Sequence, residues 1–105
     1  HILDLTKGHV KALQTLKNKP QIFSVNLGTG KGYSVLEVVR EFEKASGKKI
    51  PLKIVGRRDG DIASCFADPT NASKIIGWSA KYKLEEMCRD TWRWQLLNPN
   101  GYTNN

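Results

Sequence analysis

Two cysteines, two histidines and four prolines in 105 residues exclude several classes of protein at once. Cys65 and Cys88 have no partners at metal-ligand spacing, and two thiols are too few for the disulfide framework of a small secreted domain. Both are read as free and intracellular. No apolar run approaches the roughly 20 residues of a membrane span, and no basic stretch followed by an apolar one opens the chain at His1. Neither membrane insertion nor secretion is supported, and the expected location is the cytoplasm. Acidic residues are scarce too, with 10 Asp and Glu against 17 Lys and Arg and a formal charge of +7. Such a balance suits nucleic acid, an anionic small ligand or a piece of a larger, more neutral protein. The basic residues are spread along the chain with no block beyond Lys48-Lys49 and Arg57-Arg58, and no aromatic-glycine ribonucleoprotein signature accompanies them. His1 has no readable partner. His9 falls on the apolar face of a helical segment, where a lone histidine is more often packed than catalytic.

What is present reads as a small α/β unit, one domain at most by length. Leu5, His9, Ala12, Leu13 and Leu16 recur at helical spacing, with Asp4 as the N-cap and an end near residues 18–20. Residues 22–27 read as a short strand. Gly28, Gly30 and Gly32 form a flexible turn, and Ser34 with Glu37 has capping-box spacing. The helix that follows carries Val35, Val38, Val39, Phe42 and Ala45 on one face and stops at Gly47. Residues 51–55 read as a second strand, so that strand, helix and strand suggest a parallel crossover. Asp68-Pro69 opens a short helix running to about Gly77. A final helix over 84–97 sets Leu84, Met87, Cys88, Thr91 and Trp94 on one stripe. Residues from Asn98 onward, rich in Asn, Gly and Pro, read as loosely held.

The chemistry concentrates in Gly56-Arg57-Arg58-Asp59-Gly60-Asp61, just beyond the carboxyl end of the second expected strand, the edge where open α/β sheets bind ligands. An arginine fork matches phosphate oxygens, and a carboxylate three residues later accepts from sugar hydroxyls, so one turn can hold both parts of a nucleotide-sugar. A solvated turn between elements has the same composition. The glycine loop is a weaker candidate. Its third glycine comes one place early for a dinucleotide fingerprint, and Gly30-Lys31 is followed by Gly32 in place of Ser or Thr, so both phosphate-loop patterns fail. Trp92 and Trp94 read as core and edge packing. Glu37, Glu41 and Glu43 lie among Arg40 and Lys44 as a solvated helix face.

The order Asn26-Leu27-Gly28-Thr29-Gly30, Gly32-Tyr33-Ser34-Val35-Leu36-Glu37-Val38, Lys44-Ala45-Ser46-Gly47-Lys48-Lys49-Ile50-Pro51 and Arg57-Arg58-Asp59-Gly60-Asp61 resembles the C-terminal part of UDP-glucose 4-epimerases. Met87-Cys88-Arg89-Asp90, Trp92-Arg93-Trp94-Gln95 and Asn98-Pro99-Asn100-Gly101-Tyr102 look like the end of the eukaryotic members. These enzymes are extended short-chain dehydrogenase/reductases. The resemblance implies an N-terminal Rossmann domain holding NAD, a catalytic tyrosine with a lysine four residues later, and interconversion of UDP-galactose and UDP-glucose. Here Tyr33 is followed at that distance by Glu37 and Tyr82 by Glu86, and Tyr102 has no such residue. On this reading, residues 1–105 are the substrate-binding region without the Rossmann domain, helices around a short, mainly parallel sheet.

By the same resemblance, Arg58, Asp59, Gly60 and Asp61 form the family's substrate element, Arg58 contacting the diphosphate and Asp61 the ribose of UDP-hexose. Arg57 is expected to face elsewhere. Cys65 matches the position beside the sugar's C2 substituent, where a small side chain leaves room for an N-acetyl group; a buried thiol used as a small hydrophobe describes it equally well. The resemblance further implies a homodimeric parent, with no nucleic-acid or membrane partner. The rivals are another nucleotide-sugar dehydratase or decarboxylase of that superfamily, and a stand-alone basic nucleic-acid-binding module.

Overall fold

The computed structural model describes residues 1–102 and contains four helices: α1 (Ile2–Asn18), α2 (Val35–Ser46), α3 (Thr70–Ile76) and α4 (Leu84–Leu97). Read from its length as one domain at most, the chain divides into two compact units, one of His1–Gly32 with Gly60–Tyr82, the other of Tyr33–Asp59 with the residues from Lys83 onward. α1 packs with α3 in the first unit, and α2 with α4 in the second.

In the first unit the core is Ala72, Ile76 and Trp78, with Ala12, Phe23, Val25, Leu27 and Ala80 packed against it. α1 meets this core through an unexpected face. Asp4 and Gly8 are its buried residues, while Leu5, Leu13 and Leu16 are exposed, Leu13 to 67%. His9 is exposed as well, its Nδ1 lying 2.8 Å from the Leu5 carbonyl, so it is not on a packed apolar face. Asp4 is not the cap either. His1 takes that place, its Nδ1 accepting from the Leu3 N–H at 3.2 Å while its ring stacks on Tyr82 with centroids 4.4 Å apart.

Asp4 instead stands one turn inside, only 3% exposed, and its carboxylate accepts from the Lys81 and Tyr82 N–H groups at 2.9 Å each. Its backbone carbonyl accepts from Trp78 Nε1, also at 2.9 Å. Gly8 completes the contact, because a Cβ there would lie 2.7 Å from Leu27 Cδ1 and 3.3 Å from Trp78 Nε1. Close approach and three satisfied hydrogen bonds thus set the rotation of α1 against its apolar stripe. An exposed apolar side chain forgoes a gain, whereas a buried carboxylate without donors carries a direct penalty.

Both expected strands need correction. Residues 22–27 keep a strand's alternation, with Phe23, Val25 and Leu27 half-buried and Ile22, Ser24 and Asn26 exposed. No ladder forms, however, and among the described residues there is no strand at all. Residues 51–55 are exposed throughout, Ile54 to 88%. A strand is defined by the neighbour that takes its backbone hydrogen bonds, and neither segment has one among the described residues. The expected crossover is represented by its helix, α2, alone.

α2 follows its sequence signals closely. Ser34 Oγ accepts from the Glu37 N–H at 3.2 Å, the Glu37 carboxylate accepts from the Ser34 N–H at 2.7 Å, and Gly47 closes the helix in the left-handed region at φ 67°. Val38, Val39, Phe42 and Ala45 are half-buried as expected, but Val35 is exposed. In α4 the stripe holds at its centre: Cys88 is buried, Leu84 and Met87 are half-buried, and Thr91 and Trp94 are exposed. Trp92 is half-buried under Lys48, whose Nζ lies 5.3 Å from the ring centroid. Asp68 Oδ1 accepts from the Thr70 N–H and hydroxyl at the start of α3, and the hydroxyl bond chiefly holds that carboxyl below its usual range. The segment after α4 is tied down up to Tyr102: Asn98 N–H donates to Trp94 O at 2.9 Å and the Tyr102 ring meets Trp94 edge-on at 5.8 Å. The rest of the expected loose tail, 103–105, lies outside the described residues.

Two outcomes follow from this packing. Asp4→Ala strands two backbone N–H groups, so chemical denaturation should show a loss of about 2 kcal/mol or more, against under about 0.5 kcal/mol for Lys53→Ala at an exposed position. Equal losses would mean that Asp4 does not anchor α1. The thiols should also separate. Cys88 is 1% exposed and burial pushes its thiol up, while Cys65 is exposed. Thiolates are the reactive form, so iodoacetamide under native conditions should label Cys65 and spare Cys88 until denaturant is added. Equal native labelling, read by peptide mass spectrometry, would contradict the packing of α2 on α4.

Candidate functional site

The charged turn is held by one backbone requirement. Gly60 sits at φ 85°, in the left-handed region that a side chain disfavours, and the chain turns at Asp59 and Gly60. Arg57, Arg58, Asp59, Gly60 and Asp61 are all exposed, so both guanidinium forks and both carboxylates stand at the surface. Adjacent Arg57 and Arg58 precede the glycine and Asp61 follows it, the order needed to present cations first and an acceptor afterwards. The boundary between the two compact units falls between Asp59 and Gly60. Apolar side chains flank the turn and are exposed as well: Ile54 and Val55 before it, Ile62 and Phe66 after it.

Cys65 lies four residues beyond Asp61 and is exposed. It is therefore not a buried thiol filling a core; that description fits Cys88. Behind Cys65, residues 66–69 run against the glycine segment. A Cβ on Gly28 would come within 2.7 Å of Ala67 Cβ, which only a glycine avoids.

The glycine segment does not make a dinucleotide site. The N-terminus of α2 is already occupied by Ser34 and by the Glu37 carboxylate, which accepts from the Ser34 N–H. A negative charge in that place repels a phosphate. The residues where a tyrosine–lysine pair would need its lysine are spent on caps also: Glu37 at α2, and Glu86, whose Oε2 accepts from the Lys83 N–H at 2.7 Å at α4. These residues do not fit NAD, and no chemical step is assigned to them. Among the described residues, no group of three His, Cys, Asp or Glu is placed to hold a metal ion, and no helix is long and apolar enough to cross a membrane.

Sequence reasoning missed a concavity of about 390 Å³ in the first unit, lined by Lys7, Val10, Lys11, Gln14, Trp78 and Lys81 among others. Lys7 and Lys11 share a face of α1 by their spacing of four, but nothing local in the sequence brings Lys81 to them. Two of these ammonium groups are already engaged, Lys11 donating to the Gly77 carbonyl and Lys7 lying 5.7 Å from the Tyr82 ring centroid.

No family model matches the chain. Individual relatives do. UDP-glucose 4-epimerase of Drosophila melanogaster is 58% identical over 106 residues, covering 99% of this chain and 30% of the relative. The Bacillus subtilis enzyme is 58% identical over 102 residues, covering 97% and 30%, and the human one 54% identical, covering 97% and 29%. Among solved structures, the UDP-glucose 4-epimerase of Stenotrophomonas maltophila, with bound NAD and formylated UDP-arabinopyranose, superposes with a TM-score of 0.87 at 48% identity over 92% of this chain and 29% of that one. The Bifidobacterium longum enzyme in complex with NAD+ and UDP gives 0.87 and 48% over 97% and 30%. The chain spans about 30% of the length of these relatives. With more than half of its residues identical across nearly its full length, the chain is similar to the C-terminal part of UDP-glucose 4-epimerases.

Proposed function

We propose that residues 1–105 are the substrate-binding region of an NAD-dependent UDP-glucose 4-epimerase that interconverts UDP-galactose and UDP-glucose, and the corresponding N-acetylhexosamine pair. The observation that carries this reading is the identity of 54–58% along nearly the whole chain to enzymes of that name. In the complete protein an N-terminal Rossmann domain supplies the NAD site and the tyrosine–lysine pair, and the present residues bind the nucleotide-sugar. Arg58 faces the diphosphate and Asp61 the ribose hydroxyls, with Asp59 and the left-handed Gly60 shaping the turn between them. Cys65 leaves space beside the sugar's C2 substituent.

Exposed surface supports a missing neighbour. Ile2, Leu5, Leu13 and Leu16 form an unburied row along α1, and Leu52, Ile54 and Val55 are unburied as well, a larger apolar display than an isolated domain usually keeps. In the complete enzyme residues 22–27 and 51–55 enter a short, mainly parallel sheet, which gives their backbones the partners that define a strand. The parent protein is a cytoplasmic homodimer. Its partner molecule is UDP-hexose, and nucleic acid is not among its ligands; the net charge of +7 belongs to a part of a larger protein.

Purified chain supplied with UDP-galactose and NAD should form no UDP-glucose above a no-protein control, because the catalytic pair and the cofactor loop are not among its residues. Turnover by the chain alone would overturn its assignment as a binding region. In the complete enzyme, Arg58→Ala should raise the UDP-sugar dissociation constant about tenfold or more, since a charge-assisted hydrogen bond contributes about 1.5 to 3 kcal/mol and 1.4 kcal/mol is a factor of ten. Arg57→Ala should do less. Titration calorimetry decides between them, and equal small effects would reduce the turn to a solvated connection.

A further inference from the structure

The glycine segment, which fails as a phosphate loop, has a different use. Residues 26, 28, 30 and 32 alternate along it, and all four meet the stretch directly after Cys65. Asn26 Nδ2 donates to the Asp68 carbonyl at 3.5 Å. A Cβ on Gly28 would lie 2.7 Å from Ala67 Cβ, one on Gly30 3.3 Å from Pro69 Cδ, and one on Gly32 3.2 Å from Phe66 Cδ1. Gly28 is the strictest of the three. The atom it would strike is a Cβ fixed to its backbone, with Ala67 Cα and O behind it at 3.7 Å, so no side-chain rotation relieves the overlap. At the far end the same stretch is held by Asp68, whose Oδ1 accepts from the Thr70 N–H and hydroxyl at the start of α3. Residues 66–69 are thus seated between the glycines and a helix start, and Cys65 is the next residue out.

We propose that Gly28, Gly30 and Gly32 are positioning residues that set where Cys65 stands, and that through it they tune acceptance of a bulky C2 substituent on the hexose. This rests on the reading of Cys65 given above. The glycines touch no substrate. Adding a methyl at Gly28 forces the 66–69 backbone outward, carries Cys65 with it, and changes the space that an acetamido group needs more than the space that a hydroxyl needs.

The test uses the full-length epimerase carrying this segment, with kcat/KM measured for UDP-galactose and UDP-N-acetylgalactosamine. Gly28→Ala should lower the value for the N-acetyl sugar about fivefold or more relative to UDP-galactose, mainly through KM, with the NAD dissociation constant unchanged. Gly28→Ala with Ala67→Gly removes the overlapping methyl and should return the ratio to within about twofold of wild type. Cys65→Tyr serves as the control. If it changes the ratio while Gly28→Ala does not, the positioning role is wrong and the reading of Cys65 stands. If Cys65→Tyr leaves the ratio unchanged, that reading fails and the positioning role falls with it. Should Gly28→Ala not fold, Ala67→Gly alone, which releases the seat of residues 66–69 against Gly28, reports the same ratio, and an unchanged value there also overturns the proposal.

Discussion

A carboxylate taken out of water must be met by donors, and the contact of Asp4 with the Lys81 and Tyr82 N–H groups is the constraint on which the first compact unit depends. It joins residue 4 to residues 81 and 82, so the two stretches of that unit are tied across the intervening chain. Trp78 adds its indole N–H to the Asp4 carbonyl and its ring to the core beside Ala72 and Ile76. With these bonds made, α1 has one rotation about its axis. Gly8 faces Leu27 and Trp78, and the leucines of the helix face away.

Exposed leucines are the counterpart of that choice. A stripe such as Ile2, Leu5, Leu13 and Leu16 is normally what a helix buries, and here polar satisfaction and close packing take the opposite face. The stripe is what one expects of a surface shared with a larger body, in keeping with a chain that spans about 30% of its relatives' length. The same logic covers residues 51–55, whose side chains are apolar but whose backbones have no ladder among the described residues.

The candidate site combines two kinds of backbone constraint. Gly60 is glycine because the turn between Arg58 and Asp61 passes through the left-handed region. Gly28 is glycine because another backbone lies against it. The first shapes the charged turn, and the second seats the chain that carries Cys65. Neither constraint supplies chemistry, in keeping with the proposed role of this region in binding rather than reaction.

Local signals determined much by themselves. The Ser34/Glu37 box, the Gly47 stop, the Gly77 end of α3 and the limits of α4 are where short-range spacing puts them, because helix ends are set by residues within a turn of themselves, whereas α3 starts one residue later than Asp68-Pro69 suggests, with Pro69 at its N-cap. The motif order from Asn26 to Asp61 was enough to show the resemblance to the C-terminal part of UDP-glucose 4-epimerases. What lay beyond the sequence was everything decided by a distant partner. Asp4 reads as an N-cap until Lys81 and Tyr82 arrive to take its oxygens. The leucine stripe of α1 reads as a core until Trp78 claims the glycine side. Residues 22–27 read as a strand, and their alternation survives, but a ladder needs a neighbour that no local pattern provides. Tertiary structure decided these cases because burial, sheet pairing and close approach are properties of two segments at once, and a sequence read along its length presents only one of them.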